Sequence, residues 1–240
     1  MNRPEYISFK DWDILTNKYS SNKLEEYFNK NYPYQYLIGD VEFCDNKFFV
    51  DERVLIPRFE TEIMSNDLIQ FIKRMNTKNL KIVDVCTGSG CIAISIKKKF
   101  EDANVYAIDI SEDALNVARE NALLNGTNIR FHKYDVLNDD IDLKYDIVVS
   151  NPPYIDRNEK VGESTKYEPQ IALFADNNGL IFYDNILRKI KAKYYAFEIG
   201  CKQKEQVINI VKKYYPQAII ECKKDYSGFD RFIYVKVNSN

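Results

Sequence analysis

The segment "SNPPY" at positions 150–154 has residue types that can hold a planar nitrogen group, and it directly follows the apolar run "YDIVV". The side-chain carbonyl of Asn151 and the backbone carbonyl of Pro152 can each accept a hydrogen bond from an N–H group. The proline ring fixes φ and makes the second acceptor rigid. The alternative is an ordinary turn that ends a strand, because proline excludes the preceding residue from the helical region.

A second segment with chemical potential is "VDVCTGSGC" at positions 83–91, which follows a strand pattern and opens a helical one. Gly88 and Gly90 let backbone amides approach a ligand closely, because glycine has no Cβ. The full dinucleotide fingerprint G-x-G-x-x-G is not present, since Ala93 stands three residues after Gly90. Tight packing of the strand against the helix is therefore the alternative interpretation.

Two acidic residues follow later strands. Asp109 ends "YAIDI" about 20 residues after the glycines, where a carboxylate can accept both hydroxyls of a ribose. Asp135 in "KYDV" closes the third strand in a similar way and could meet an adenine edge. Each has a structural alternative: Asp109 could cap the next helix, although Ser111 already serves that end, and aspartate is common after a strand.

The elements that must position these residues begin at residue 80, where short apolar runs alternate with helical patterns. This alternation predicts βαβ units and a parallel sheet covered on both faces. In a doubly wound sheet the strand order reverses after the first strand, so the ends of the first and fourth strands border one crevice. "CTGSG" ends the first strand and "NPPY" ends the fourth. This placement favours a binding role for Asn151 over a simple turn.

The flanking segments predict further elements. Residues 8–31 have the apolar spacing of one or two short helices, and "QYLIGDVEFCDNKFFV" predicts a hairpin around Asp45-Asn46. Ser111 and Gly126 are placed to start and end the helix "SEDALNVARENALLNG". Near the C-terminus, "AIIECKK" and "RFIYVKV" are separated only by "DYSGFD", which is too short for a parallel crossover. We therefore expect these last strands to be antiparallel to each other.

The composition of the 240 residues is that of an ordinary globular protein, with 45% hydrophobic and 29% charged residues. A net charge of -2 gives no global attraction to nucleic acid or to an anionic membrane. The five cysteines form no CxxC pair and His132 is the one histidine, so we expect reduced thiols, a cytoplasmic location and no metal. No signal peptide core or membrane span is expected.

The motifs also carry a family resemblance. "DVCTGSGCIAI", "AIDIS" and "SNPPYI", in this order, resemble the class I S-adenosylmethionine-dependent methyltransferases. "QYLIGDVEF", "VLIPRFETE", "SNPPYI", "YEPQIAL" and "GLIFYDNIL" resemble the release-factor glutamine methyltransferase family more closely, over about residues 35–237. "NPPY" alone is shared with methyltransferases that act on adenine or guanine amines. "IPRFETE" together with "YEPQIAL" narrows the resemblance to the protein-modifying family.

The resemblance implies an α/β fold: a Rossmann-like class I methyltransferase sheet, mostly parallel with an antiparallel last strand, preceded by a short helical cap and a β-hairpin. The implied domains are a short N-terminal helical region at residues 1–34, the hairpin and a linker at residues 35–60, and a catalytic domain that binds S-adenosylmethionine at residues 61–240.

The implied reaction transfers a methyl group from S-adenosyl-L-methionine to the side-chain amide nitrogen of the glutamine in the Gly-Gly-Gln motif of peptide chain release factors, in support of translation termination. The implied cofactor-binding residues are Asp84, Cys86, Thr87, Gly88, Ser89, Gly90, Asp109, Ile110, Asp135, Val136 and Asn151. The implied substrate-binding residues are Asn151, Pro152, Pro153 and Tyr154, of which Asn151, Pro152 and Tyr154 are also expected to be catalytic.

Two other functions remain as alternatives: a methyltransferase of nucleic-acid exocyclic amines, and a catalytically silent nucleoside-binding module. The expected partner is a release factor, and we expect a monomer without stable nucleic-acid or membrane binding. The chain has cysteine at position 86 and phenylalanine at position 59, where the family commonly has glycine and proline, and its N-terminal region is shorter than usual. Arg58, Glu60 and Glu62 could line the site or form an exposed helix start, and Glu198 is interpreted as structural or at the rim.

Overall fold

The computed structural model describes residues 2–140 and 143–238. Its N-terminal part contains the helices α1 (Phe9–Lys18), α2 (Ser21–Asn29) and α3 (Tyr34–Ile38) and the strands β1 (Asp40–Phe43) and β2 (Asn46–Phe49). The hydroxyl of Ser8 caps α1 by accepting a hydrogen bond from the amide of Asp11 at 3.0 Å. The prediction of one or two helices within residues 8–31 is confirmed.

The hairpin prediction is also confirmed, because β1 and β2 pair antiparallel with Phe43 opposite Asn46. The turn residues are Cys44 and Asp45, with φ values of 47° and 61°. Two successive residues with positive φ match the right-handed twist of a two-residue hairpin. The sequence placed this turn one residue too late, and its first β-rich run begins with the helix α3 instead of a strand.

The rest of the chain forms a sheet with helices between its strands. In chain order the main elements are α4 (Phe59–Met75), β3 (Lys81–Val85), α5 (Cys91–Lys99), β4 (Asn104–Asp109), α6 (Glu112–Leu124), β5 (Arg130–Lys133), the short β6 (Leu143–Lys144) and β7 (Ile147–Ser150). After β7 come β8 (Ile155–Asp156), β9 (Phe174–Ala175), α7 (Asp176–Gly179), α8 (Ile181–Lys189), β10 (Ile190–Lys191), β11 (Tyr194–Glu198), α9 (Lys204–Tyr214), β12 (Ile219–Lys224) and β13 (Asp230–Lys236).

Seven strands form one sheet in the order β12-β13-β11-β7-β3-β4-β5. The pairs from β11 to β5 are parallel, whereas β13 runs antiparallel to both β11 and β12. The predicted Rossmann-like sheet with an antiparallel last strand is confirmed. Strands β4 and β7 lie on either side of β3, so the segments that follow these three strands meet at one edge.

Helices cover both faces of this sheet, as the alternating apolar runs predict. Ile82 packs in one core with residues of α4 and α5, whereas its neighbour Val83 packs in a second core with residues of α8 and α9. Helix α6 begins at the Ser111 cap, whose hydroxyl accepts from the amide of Ala114 at 3.2 Å, and is followed by Gly126 with φ of 63°. The predicted roles of Ser111 at the start and Gly126 at the end of this helix are therefore confirmed.

Several short elements have no clear signal in the sequence. Strand β6 pairs with β10 and β8 pairs with β9, and two 3-10 helices lie at Glu163–Tyr167 and Gln170–Ala172. In α7, Asn177 and Asn178 have left-handed backbone angles, so this segment is a distorted turn. None of the helices in the described part of the chain combines the length and the apolar character needed to cross a membrane.

Candidate active site

A cavity of about 450 Å³ lies at the edge where β3, β4 and β7 end. Its lining also includes residues from the segment before α4 and from residues 169–182. Ten of the sequence-predicted site residues line it: Cys86, Thr87, Gly88, Ser89, Asp109, Ile110, Asp135, Val136, Asn151 and Pro153. Four do not: Asp84, Gly90, Pro152 and Tyr154. The crevice between the first and fourth strands of the βαβ region therefore exists, and most of the predicted residues meet there.

The glycine loop, residues 86–90, joins β3 to α5 through three residues with positive φ: Cys86 at 61°, Gly88 at 54° and Gly90 at 80°. A Cβ on Gly90 would lie 3.1 Å from the Cβ of Ala118 in α6. Glycine at position 90 therefore allows the loop to pack closely on α6, whereas Gly88 lines the cavity itself. The packing interpretation therefore applies to Gly90, and ligand approach stays a prediction for Gly88.

Asp84 stabilises the glycine loop through hydrogen bonds. Its carboxylate accepts hydrogen bonds from the Thr87 hydroxyl at 2.6 Å and from the Ala93 amide, in the first turn of α5, at 3.3 Å. The side chain is fully buried, and this burial raises its pKa to about 7. Asp84 thus fixes the geometry of the loop and of the start of α5 without lining the cavity.

Asp109 lies in the cavity wall at the end of β4. One carboxylate oxygen accepts from the Gly88 amide and the other from the Ser111 amide, each at 2.9 Å. Burial raises the pKa of Asp109, and the backbone hydrogen bonds oppose this shift. Each carboxylate oxygen has two lone pairs, so each can still accept one hydroxyl from a ligand. Asp109 therefore has the structural role of a cap, and its carboxylate keeps the capacity for the ribose contact that the sequence predicts.

Asp135 also lines the cavity, but its carboxylate is used by its own turn. It accepts from the Leu137 amide at 2.8 Å and from the side-chain amide of Asn138 at 2.7 Å. Burial acts to raise the pKa of Asp135, yet these hydrogen bonds lower it below its usual value. Because Asp135 stabilises the turn after β5, its carboxylate has less capacity for a ligand than that of Asp109.

Asn151 follows β7, the strand that pairs with β3, and lines the same cavity. Its Nδ2 donates to the Thr61 hydroxyl at 2.9 Å, and the Thr61 hydroxyl donates to Oε2 of Glu198 at 2.7 Å. Within the described residues, Oδ1 of Asn151 has no hydrogen-bond partner. The amide is thus held through its nitrogen, and its oxygen remains as an acceptor at the cavity.

Tyr154 turns away from the cavity. Its hydroxyl donates to Oε1 of Glu198 at 3.1 Å, and its backbone carbonyl accepts from the side-chain amide of Gln203 at 2.8 Å. Gly179 packs against the same carbonyl, and a Cβ there would lie only 1.9 Å from the carbonyl oxygen. These contacts fix the backbone that follows Asn151. Because Tyr154 is not among the residues that line the cavity, its stacking on a planar substrate stays a prediction.

Of the three charged residues that the sequence places at or before the start of α4, one lies at the site. Arg58 lines the cavity and donates to Oε1 of Glu168 at 2.5 Å, while the amide of Ile56 donates to Oε2 at 3.0 Å. Glu62 instead accepts from the Cys44 amide at 2.8 Å and ties α4 to the hairpin. Neither Glu60 nor Glu62 belongs to the cavity lining. Arg58 is therefore the member of this group at the site.

The chain is similar to known methyltransferases. The family model described as methyltransferase small domain matches residues 60–167. A release factor glutamine methyltransferase of Lactococcus lactis is 43% identical over 242 residues, which cover 97% of this chain and 85% of the relative. That of Streptococcus pneumoniae is 42% identical over 213 residues, covering 85% and 74%. The chain belongs to the release factor glutamine methyltransferase family.

A solved structure supports the fold independently of this family. The ribosomal protein L11 methylase of Lactobacillus delbrueckii subsp. bulgaricus superposes with a TM-score of 0.51 at 24% identity, covering 78% of this chain and 82% of that chain. At this identity the likeness extends to the Rossmann-like architecture alone.

The two departures from the glutamine methyltransferase pattern have visible consequences. Cys86 adopts the left-handed conformation that favours glycine, so the loop keeps its path at the cost of backbone strain. Phe59 is 61% exposed and stacks on Tyr226 with ring centroids 5.7 Å apart, at the start of α4. Neither departure closes the cavity.

Thr61 and Glu198 are the functional candidates that sequence reasoning missed. Thr61 stands between the two glutamates considered, and its neutral side chain gives no chemical signal. Glu198 was interpreted as structural or at the rim, but it contacts both Thr61 and Tyr154 from a buried position. A signal was present, since Glu198 ends β11, the strand beside β7. Within the described residues, no group of three or more His, Cys, Asp or Glu side chains is arranged to hold a metal ion.

Proposed function

We propose that this protein transfers a methyl group from S-adenosyl-L-methionine to the side-chain amide nitrogen of the glutamine in the Gly-Gly-Gln motif of a peptide chain release factor. The observation that carries the proposal is the position of Asn151. It lines the same cavity as the glycine loop, with its nitrogen hydrogen-bonded to Thr61 and its oxygen available. This chain covers most of the length of two relatives whose names state this activity.

The residues of the glycine-loop side fit the cofactor. The lone pairs that remain on Asp109 can accept two ribose hydroxyls, and Gly88 leaves room for a ligand because nothing lies within 4 Å of where its Cβ would be. Ile110 and Val136, which directly follow Asp109 and Asp135, add apolar surface to the cavity lining. When bound there, the cofactor supplies an electrophilic methyl group on a sulfonium.

The residues of the Asn151 side are proposed to hold the acceptor. An amide nitrogen is a poor nucleophile because its lone pair is delocalised into the carbonyl, so the site must position it and polarise its N–H bonds. We assign these tasks to Oδ1 of Asn151 and to the backbone carbonyl of Pro152. Fixing two reactants in line within about 3 to 3.5 Å can contribute roughly 7 to 11 kcal/mol. Proton loss can follow methyl transfer, so no general base is assigned.

Two further features of the proposal concern partners and location. We propose that the protein is a monomer. We also propose that it does not bind nucleic acid stably, because a net charge of -2 offers no overall attraction to phosphates. We propose a cytoplasmic location, since all five cysteines are free thiols, as is usual in reducing compartments. A nucleic-acid amine methyltransferase and a silent nucleoside-binding module remain the rival functions to be tested.

The test is incubation of the purified protein with isotope-labelled S-adenosylmethionine and, in separate reactions, with release factor, DNA or RNA. We expect label in the release factor alone, and peptide mass spectrometry should locate one added methyl group on the glutamine of Gly-Gly-Gln. A release factor with that glutamine replaced by alanine is the matched control and should stay unlabelled. Label in DNA or RNA would support the first rival, and binding of the cofactor without transfer to any of the three would support the second.

A further inference from the structure

A buried chain of hydrogen bonds runs behind Asn151. The Thr61 hydroxyl bridges Nδ2 of Asn151 at 2.9 Å and Oε2 of Glu198 at 2.7 Å, and the Tyr154 hydroxyl donates to Oε1 of Glu198 at 3.1 Å. Thr61 is 3% exposed and Glu198 is 1% exposed. These hydrogen bonds join the first turn of α4, the end of β11 and the segment after β7. The proposed reaction gives Glu198 no task.

The direction of these hydrogen bonds is determined by the carboxylate. An ionised carboxylate can only accept, so the single hydrogen of the Thr61 hydroxyl must point at Glu198. The Thr61 oxygen then offers Asn151 nothing but a lone pair. Asn151 must turn its Nδ2 to Thr61, and its Oδ1 is left for the cavity. Since Oδ1 is the acceptor that an amide N–H of the substrate requires, the orientation of Asn151 follows from Glu198 through Thr61.

We propose that Thr61 and Glu198 are positioning residues that fix the amide of Asn151 with its oxygen toward the methyl acceptor. This inference rests on the proposed function, because it assigns Asn151 to the acceptor. When Glu198 is protonated it can donate to Thr61, whose hydrogen is then free to bind the oxygen of Asn151. The side-chain amide of Asn151 can then rotate and present Nδ2 to the cavity. Nδ2 is a donor, so it cannot accept a hydrogen bond from an N–H group of the substrate.

The protonation of Glu198 has several influences. Burial raises its pKa to about 7, while the hydrogen bonds from Thr61 and Tyr154 and the charge of Arg231 oppose this shift. Glu60 raises the pKa further. The titratable and charged groups that face Glu198 are Glu60 from α4, Tyr154 after β7, Tyr183 from α8 and Arg231 and Tyr234 from β13. The working, ionised state therefore gains population as pH rises through about 7.

The first test compares Thr61→Val, which removes the hydroxyl with little change in shape, with Thr61→Ser, which keeps it. With cofactor and release factor both saturating, we expect Thr61→Val to lower kcat on the order of tenfold to a hundredfold, by analogy with loss of one preorganised donor. The KM for release factor and the cofactor affinity should change little, and Thr61→Ser should restore kcat to within a few-fold. Wild-type kcat in Thr61→Val would overturn the inference.

The second test uses Glu198→Gln, whose side chain keeps an oxygen acceptor for Thr61 but cannot ionise. We expect the wild-type kcat to fall as pH is lowered below about 7, and this fall should disappear in Glu198→Gln. The side-chain amide NMR signals of Asn151, identified by their loss in Asn151→Ala, should shift over the same pH range in the wild type and not in Glu198→Gln. This test stands even if Thr61→Val does not fold. The inference would be overturned if kcat of Glu198→Gln still fell at low pH as in the wild type, or if the Asn151 amide signals still shifted with pH in that variant.

The outcomes separate this inference from the proposed function. If the wild-type protein does not methylate release factor, the proposed function fails. If the wild type is active and Asn151→Ala is not, but Thr61→Val has the wild-type kcat, the assignment of Thr61 and Glu198 fails while that of Asn151 stands.

Discussion

The two walls of the cavity are built by contacts of different range along the chain. On the glycine-loop side, the Thr87 hydroxyl bonds Asp84 three residues away, and Asp109 accepts from Ser111 two residues away. The bond between Gly88 and Asp109 spans 21 residues, within one βαβ unit. A short piece of sequence therefore contains most of what shapes this wall.

On the Asn151 side the contacts join distant parts of the chain. Asn151 and Thr61 are 90 residues apart, Thr61 and Glu198 are 137 residues apart, and Arg58 and Glu168 are 110 residues apart. These hydrogen bonds can form only once α4 has packed on the sheet that contains β7 and β11. We therefore expect cofactor binding to depend on a local unit and acceptor positioning to depend on the whole fold. Substitutions on the two walls should accordingly affect different measurements.

The largest expected effect is that of Asn151→Ala on methyl transfer. Removal of the one oriented side-chain acceptor should lower turnover on the order of a hundredfold or more, by analogy with an oxyanion-hole donor. Cofactor affinity, measured by calorimetry, should stay close to that of the wild type. Asn158→Ala, in the exposed loop that follows, is the control and should keep full activity. A wild-type rate in Asn151→Ala would reduce "NPPY" to a turn that ends a strand.

Next in size is the effect of Asp109→Ala on cofactor affinity. Loss of charge-assisted hydrogen bonds to the ribose should weaken binding by about 1.5 to 3 kcal/mol. Asp135→Ala should cost less, because that carboxylate is already used by Leu137 and Asn138. Calorimetry on the two variants checks this order, and equal losses would mean that the turn contacts of Asp135 do not limit its role.

The buried carboxyl of Glu198 should make stability depend on pH. Its pKa of about 7 in the folded protein lies above the ordinary 4.5, so the folded state holds the proton more tightly. The resulting stabilisation is present below pH 4.5 and is lost as pH rises through about 7. From pH 5 to pH 7 the loss should be about 2 kcal/mol in the free energy of unfolding.

Denaturant unfolding at several pH values measures this loss, and Glu198→Gln should remove the part due to Glu198. Asp84 will leave a similar dependence, because burial also raises its pKa to about 7. A wild-type stability that rises over this range would contradict the assignment. Since ionisation of Glu198 is also proposed to orient Asn151, activity and stability should change in opposite directions with pH.

The smallest expected effect is that of Cys86→Gly. Cysteine in the left-handed region costs roughly 1 to 2 kcal/mol, whereas glycine adopts it freely but loses about 0.4 to 1 kcal/mol through the entropy of the unfolded chain. The variant should therefore be more stable, by at most about 1.6 kcal/mol. Cys222→Gly, within β12 and without a positive φ, should be less stable than the wild type. Thermal unfolding of both variants measures the difference in sign.

The sequence predicted the local features of this molecule well. The strands, the helix caps at Ser111 and Gly126 and the meeting of the glycine loop with Asn151 follow from short-range patterns and from the rule for doubly wound sheets. The turn at Cys44 and Asp45 was placed one residue late, because neither residue is the glycine that marks such turns.

The long-range polar contacts could not be predicted in the same way. Thr61 has no unusual chemistry by itself and gains its role from two partners that approach from other parts of the fold. The sequence predicts Tyr154 against the substrate, and nothing in its neighbours along the chain indicates that its hydroxyl reaches Glu198. Such contacts depend on the packing angle of α4 on the sheet, which apolar periodicity leaves open.

The most direct test of the division between the two walls is a single-turnover measurement of release factor methylation at increasing cofactor concentration. It gives a maximal rate and a half-saturating concentration for the wild type, Asn151→Ala and Asp109→Ala. We predict that Asn151→Ala lowers the maximal rate without moving the half-saturating concentration, and that Asp109→Ala raises the half-saturating concentration while leaving the maximal rate near the wild-type value. If both variants change the same parameter, the two walls do not have separate functions, and the proposed division between cofactor binding and acceptor positioning is wrong.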